Sequence, residues 1–101
     1  MTANRIAHCY VGTHEIETWH YTFEDGDADV YTTEWWEYVP GDGDYRQTIR
    51  DSVKVDSMIE VLRAHYTFVW KARGAWRKQL HQLLRGVGGG DRTLTSEDIE
   101  V

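Results

Sequence analysis

"VKVDSMIEVLRAHYTF", Val53 to Phe68, is where the chain changes its period. Before it, apolar and β-branched residues alternate in steps of two, as in a strand; after it they recur in steps of three and four, as in a helix. The change falls on a start signal. Ser57 followed three residues later by Glu60 matches the capping box, in which the two side chains satisfy free backbone N–H groups of the first turn. The spacing predicts a helix over residues 58–85, stopped by Gly86 and the run "GVGGG". Unbroken, it would be about 40 Å long. That is long for a domain of this size, so a kink or break is expected near Gly74. The core-facing stripe is expected at Ile59, Leu62, Tyr66, Val69, Trp76, Leu80 and Leu83, with Arg73 the one charged residue in line.

Working outward, four strand-like runs precede the helix. "RIAHCYVG" is apolar on both faces, which predicts a central strand, closed by a turn at Gly12 and Thr13. "HEIETWHYTF" alternates, with Glu15, Glu17, Trp19, Tyr21 and Phe23 on one face and Ile16, Thr18, His20 and Thr22 on the other. Asp25-Gly26 is a hairpin-turn signal. In "TTEWWEYVPGDGDY", Thr32 to Tyr45, alternation puts Trp35 and Trp36 on opposite faces, so one belongs to the core and the other to the uncovered side. Pro40 ends that strand or marks an edge. "GDGD" makes the next turn and "YRQTIRDSV" a fourth strand. The fold expected is α+β: a four-stranded antiparallel sheet over about residues 5–52, packed on one long or kinked helix, or a helix pair, over about 57–86. Residues 87–101 read as a Gly-rich linker and a flexible acidic tail.

The 101 residues suit one domain, and 41% hydrophobic with 28% charged residues suits a folded chain rather than a disordered one. Cys9 stands alone and excludes an internal disulfide, no leader-like apolar segment opens the chain, and no run approaches a membrane span. A cytoplasmic protein is expected. Charge is unevenly spread: residues 1–50 carry ten acids and three bases, residues 51–90 three acids and seven bases, and residues 91–101 four acids and one base. The net charge of −6 is therefore an acidic half, a basic half and an acidic tail.

No motif fixes a reaction. The serines, Ser52, Ser57 and Ser96, lie at a strand end, a cap and the tail, and "GVGGG" follows a helix instead of opening one, so it cannot cradle phosphate. His8, Cys9, His14 and His20 offer metal-binding donors, and hairpin pairing could bring His8 to His20. The spacing matches no metal motif, and His8 and Cys9 point to opposite faces, so no metal or cofactor is expected. Glu15 and Glu17 beside Trp19 could have raised pKa values, as carboxylates against an indole can.

The leading expectation is a small acidic non-enzymatic protein-binding module, an inhibitor or modulator of a basic, nucleic-acid-handling partner. Its partner-binding residues would be Glu15, Glu17, Asp25, Asp27, Asp29, Glu34, Trp35, Trp36, Glu37, Tyr38, Asp42 and Asp44, acids steering the encounter and aromatics anchoring it. In size and aromatic-acidic character the chain resembles small phage or mobile-element accessory proteins in general, with no shared motif. The alternative is nucleic-acid binding through Lys71, Arg77, Lys78 and Arg85 on the helix, with Gln79 and Gln82 available to read bases. A small homodimer with a ligand or enzyme site is the third reading; monomer and homodimer both fit the heptad-like stripe.

Overall fold

The computed structural model describes residues 1–40 and 45–86. Four strands, β1 (Thr2–Val11), β2 (His14–Thr22), β3 (Val30–Pro40) and β4 (Tyr45–Val55), are followed by one helix, α1 (Met58–Gly86). The strands form an antiparallel meander in the order β1-β2-β3-β4. This is the expected α+β arrangement. β1 is nevertheless an edge strand and not the central one expected. Its apolar run is explained differently: Ala7, Cys9 and Val11 pair with Thr18, Ile16 and His14 on the helix side, while His8 and Tyr10 face the other way. The two β-bulges fall on the two edge strands, at Ile6 in β1 and Arg50 in β4. Such bulges twist an edge and blunt its pairing with other chains.

β1 and β2 are joined at Gly12-Thr13, with Val11 paired to His14. Gly12 has φ +58, as the first central position of a tight type II′ hairpin needs. Packing makes a second demand on it: a Cβ there would lie 2.2 Å from the Trp76 indole, so the helix rests its ring on the bare backbone of the turn. The Thr13 carbonyl accepts from the Tyr38 N–H at 2.8 Å, tying the same turn to β3. Asp25-Gly26 does turn the chain, with Gly26 at φ +84. It does so inside a longer connection between β2 and β3, not as a two-residue hairpin. The expected "GDGD" turn and the linker and tail at 87–101 lie outside the described residues.

α1 starts on the Ser57 cap, whose hydroxyl accepts from the Glu60 N–H at 3.2 Å, and runs without the break expected at Gly74. Gly74 is exposed, with nothing packed near it, so nothing there demands a bend. No helix among the described residues is long and apolar enough to cross a membrane. The helix lies across one face of the sheet, and its buried line is Val61, His65, Phe68, Val69, Ala72 and, partly, Trp76. The expected stripe is right at Val69 and Trp76 but rotated away from the sheet elsewhere: Ile59, Tyr66, Arg73 and Leu83 are exposed. Polarity misled because the true stripe includes a histidine and an alanine, while several large apolar residues lie outside it.

The core between the layers gathers Val11, Ile16, Trp35, Phe68, Val69 and Ala72. Burying side chains such as Ile16 and Val11 contributes about 1.5–3 kcal/mol each. Two hydrogen-bonded chains run through this apolar layer. In one, Thr33 donates to the Val61 carbonyl at 3.2 Å, Thr18 meets Thr33 at 2.7 Å, and His65 Nδ1 meets Thr18 at 2.8 Å. Thr33 spends its proton on the carbonyl, so Thr18 donates to Thr33 and His65 Nδ1–H donates to Thr18. In the other, Trp35 Nε1–H donates to His14 Nδ1 at 3.0 Å, His14 Nε2–H donates to Gln79 at 2.8 Å, and Gln79 donates to Glu37 at 2.6 Å. Arg50 closes the circuit by donating to Glu37 at 3.2 Å and standing 4.7 Å over the Trp35 ring. His14 is fully buried, and the circuit gives each of its ring nitrogens a partner.

Candidate functional site on the uncovered sheet face

One helix covers one face of the sheet; among the described residues no layer lies over the other face. Strand alternation and register bring to that face His8 and Tyr10 from β1, Glu15, Glu17, Trp19 and Tyr21 from β2, Thr32, Glu34, Trp36 and Tyr38 from β3, and Gln47 and Ile49 from β4. It is an aromatic sheet surface with three carboxylates in its middle.

Glu15 is the hub, 4% exposed although no layer covers it, because its neighbours close over it. Tyr38 donates to one carboxylate oxygen at 2.7 Å and Gln47 to the same oxygen at 3.1 Å; His8 Nε2–H donates to the other at 2.6 Å. Burial works to raise the Glu15 pKa, but hydrogen bonds from Tyr38, His8 and Tyr10 outweigh it and hold the carboxyl below its usual range. This corrects the expectation of a raised value. The cost appears on the donors: the bond to Glu15, with burial, pushes the Tyr38 phenol up to about 12, and the same bond raises Tyr10. Glu15 is thus a fixed anion, poorly suited to passing a proton near neutrality.

Glu17 and Glu34 lie directly opposite each other on β2 and β3. Like charges in that position are destabilising. Arg5 reaches one Glu17 oxygen at 3.1 Å, while burial and the Glu17 charge raise the pKa of Glu34. Beside Glu34, the buried Trp36 indole N–H lies near enough to favour the carboxylate's charged form without completing a hydrogen bond among the described residues, and the Thr32 hydroxyl is buried with no partner there. A groove of about 450 Å³ runs along this part of the face, lined by Tyr21, Phe23, Thr32, Glu34, Ile49 and Lys54 among others. Trp19 and Tyr21 stack with centroids 6.4 Å apart, and His8 meets Tyr10 edge-on at 4.7 Å.

The residues expected to bind a partner are therefore divided. Glu15, Glu17, Glu34, Trp36 and Tyr38 meet on the uncovered face. Asp25, Asp27 and Asp29 are exposed in the β2–β3 connection, and His20 holds Asp29 at 2.9 Å. Trp35, 7% exposed, is the core tryptophan, and Glu37 faces the helix, where it accepts from Gln79 and Arg50. Asp42 and Asp44 lie outside the described residues. Lys71, Arg77, Lys78 and Arg85 are all exposed on α1.

His8 does not meet His20. The register sets His8 opposite Glu17 and His20 opposite Asn4, on different faces. Donor atoms of His8, Glu15 and Glu17 instead come within 4.8 Å of one another, the one group among the described residues that could hold a metal ion. They already satisfy protein partners, His8 with Glu15 and Glu17 with Arg5, so the cluster is complete as a hydrogen-bonded unit. His8, Tyr10 and Gln47 were missed as site residues. The signal for the first two was present: counting outward from the Gly12-Thr13 turn pairs Tyr10 with Glu15 and His8 with Glu17. Comparison with known protein families, characterised proteins and solved structures finds none that matches this chain.

Proposed function

We propose that the chain is a non-enzymatic protein-binding module, acting as an inhibitor or modulator, whose uncovered sheet face receives a basic surface of its partner. The observation that carries this reading is the opposition of Glu17 and Glu34 in the middle of an aromatic face. Arg5 reaches only Glu17, so Glu34, held against it, has no counter-charge among the described residues and attracts a guanidinium or ammonium group, which would relieve the repulsion. Trp19, Tyr21 and Trp36 around them supply flat surfaces on which an arginine can stack. Glu15, clamped as an anion by three donors, fixes the positions of Tyr38 and His8 and keeps the face in one shape before binding. A surface of this charge also repels phosphates, so the proposed partner is a protein with a basic patch, the kind of surface that handles nucleic acid, rather than a nucleic acid itself.

The test is the double variant Glu17→Gln/Glu34→Gln titrated with an arginine-rich peptide of about ten residues. The variant should unfold at higher denaturant than the parent, by about 0.2–1 kcal/mol, yet bind the peptide several-fold more weakly. Unchanged affinity would remove the face from the account.

A further inference from the structure

The outward side of α1 carries a second surface of opposite charge. Arg63, Tyr66, Trp70, Arg73 and Arg77 follow one another in steps of three, four, three and four, so they share one stripe, and all five are exposed. Tyr66 is 66% and Trp70 72% exposed, values that no core role explains. Lys71, Lys78 and Arg85 flank the stripe. After Glu60 the helix contains no acid, and none of its six lysines and arginines joins a salt bridge among the described residues. An outer helix face whose own charges are of one sign, unpaired among the described residues, and that carries two bare rings is unlike a solvated face, where both signs mix.

We propose that this stripe binds single-stranded nucleic acid, with Arg63, Arg73 and Arg77 on phosphates and Tyr66 and Trp70 stacking on bases. Charge complementarity names a polyanion. The rings choose among polyanions, because exposed aromatics gain most from unstacked bases, which a duplex keeps covered. Tyr66 and Trp70 stand one turn apart, about 6 Å along the axis, with arginines one turn beyond each. An anionic lipid surface is the weaker fit: a helix lying in a membrane buries its broad apolar face, and that face of α1 is spent on the sheet from Val61 to Trp76, leaving only Leu83 bare beyond it. The surface is independent of the acidic sheet face, which lies on the far side of the molecule.

The experiment is anisotropy of a labelled oligothymidylate of about twenty nucleotides with the full chain, repeated over a range of salt. Binding is expected at low salt and should weaken with rising salt. Trp70→Ala should weaken it about ten-fold. Arg63→Gln/Arg73→Gln/Arg77→Gln should lower the slope of log affinity on log salt by about 2, near 0.7 for each phosphate no longer neutralised. Since every substituted side chain is exposed, thermal melts of both variants should match the parent. The Glu17→Gln/Glu34→Gln variant should still bind the oligonucleotide. No binding at low salt, equal binding by the Trp70 variant, or tighter binding to vesicles of anionic lipid than to the oligonucleotide would each overturn the proposal.

Discussion

Trp35 and Trp36 are neighbours with opposite fates, and the difference is set by what each meets. Trp35 packs on Phe68 with centroids 5.9 Å apart and gives its N–H to His14; Trp36 faces the uncovered side with its N–H unmet among the described residues. Alternation made their separation legible, but which ring is buried depends on where the helix docks, which no local pattern states. His65 shows the same limit. It sits in the buried stripe because Thr18 satisfies it, and that partner is 47 residues away. Burial holds the His65 pKa below its ordinary value, so the folded state favours the neutral ring. The unfolded chain then binds the extra proton, and stability should fall as pH drops below the ordinary histidine value of about 6.5. Urea midpoints across about pH 5 to 8 should show this loss, and His65→Gln should flatten it. An unchanged slope would mean that another group carries the effect.

At the scale of elements, two glycines separate what a turn needs from what a helix tolerates. Gly12 combines a positive φ with the Trp76 ring against its backbone, so Gly12→Ala should destabilise by about 1–2 kcal/mol from the backbone alone, and further by displacing the indole. Gly74 is helical, exposed and free of neighbours, so Gly74→Ala should stabilise by about 1 kcal/mol. Thermal melts of the pair should move in opposite directions. The strands, the Ser57 cap and the helix limits could be read from period, cap and glycine signals. The phase of the helix could not. Tyr66 and Trp70 look like core residues and are exposed, while His65 and Ala72 look like surface residues and are buried. The register of β1 on β2 follows from a two-residue turn and was available by counting. That of β2 on β3, which brings Glu17 to Glu34, crosses a longer connection whose geometry the residues alone do not set.

Taken whole, the molecule is a two-sided plate. Its uncovered sheet face gathers carboxylates and rings, its outer helix face gathers arginines and rings, and the apolar layer between them holds both in place. The division of charge along the sequence foretold this polarity. It did not foretell that Trp35 and Glu37 would leave the acidic surface, or that Tyr66 and Trp70 would join the basic one. If the proposed function holds, the sheet face, and not the exposed Asp25–Asp29 connection, receives a basic partner. The tryptophan indole N–H signals in a nuclear magnetic resonance titration with the arginine-rich peptide distinguish the two surfaces. The signals of Trp19 and Trp36 should shift in a saturable way, that of Trp35 should not, and Trp36→Ala should weaken binding while the protein stays folded. Shifts confined to the backbone of residues 24–29, with Trp19 and Trp36 unmoved, would contradict it.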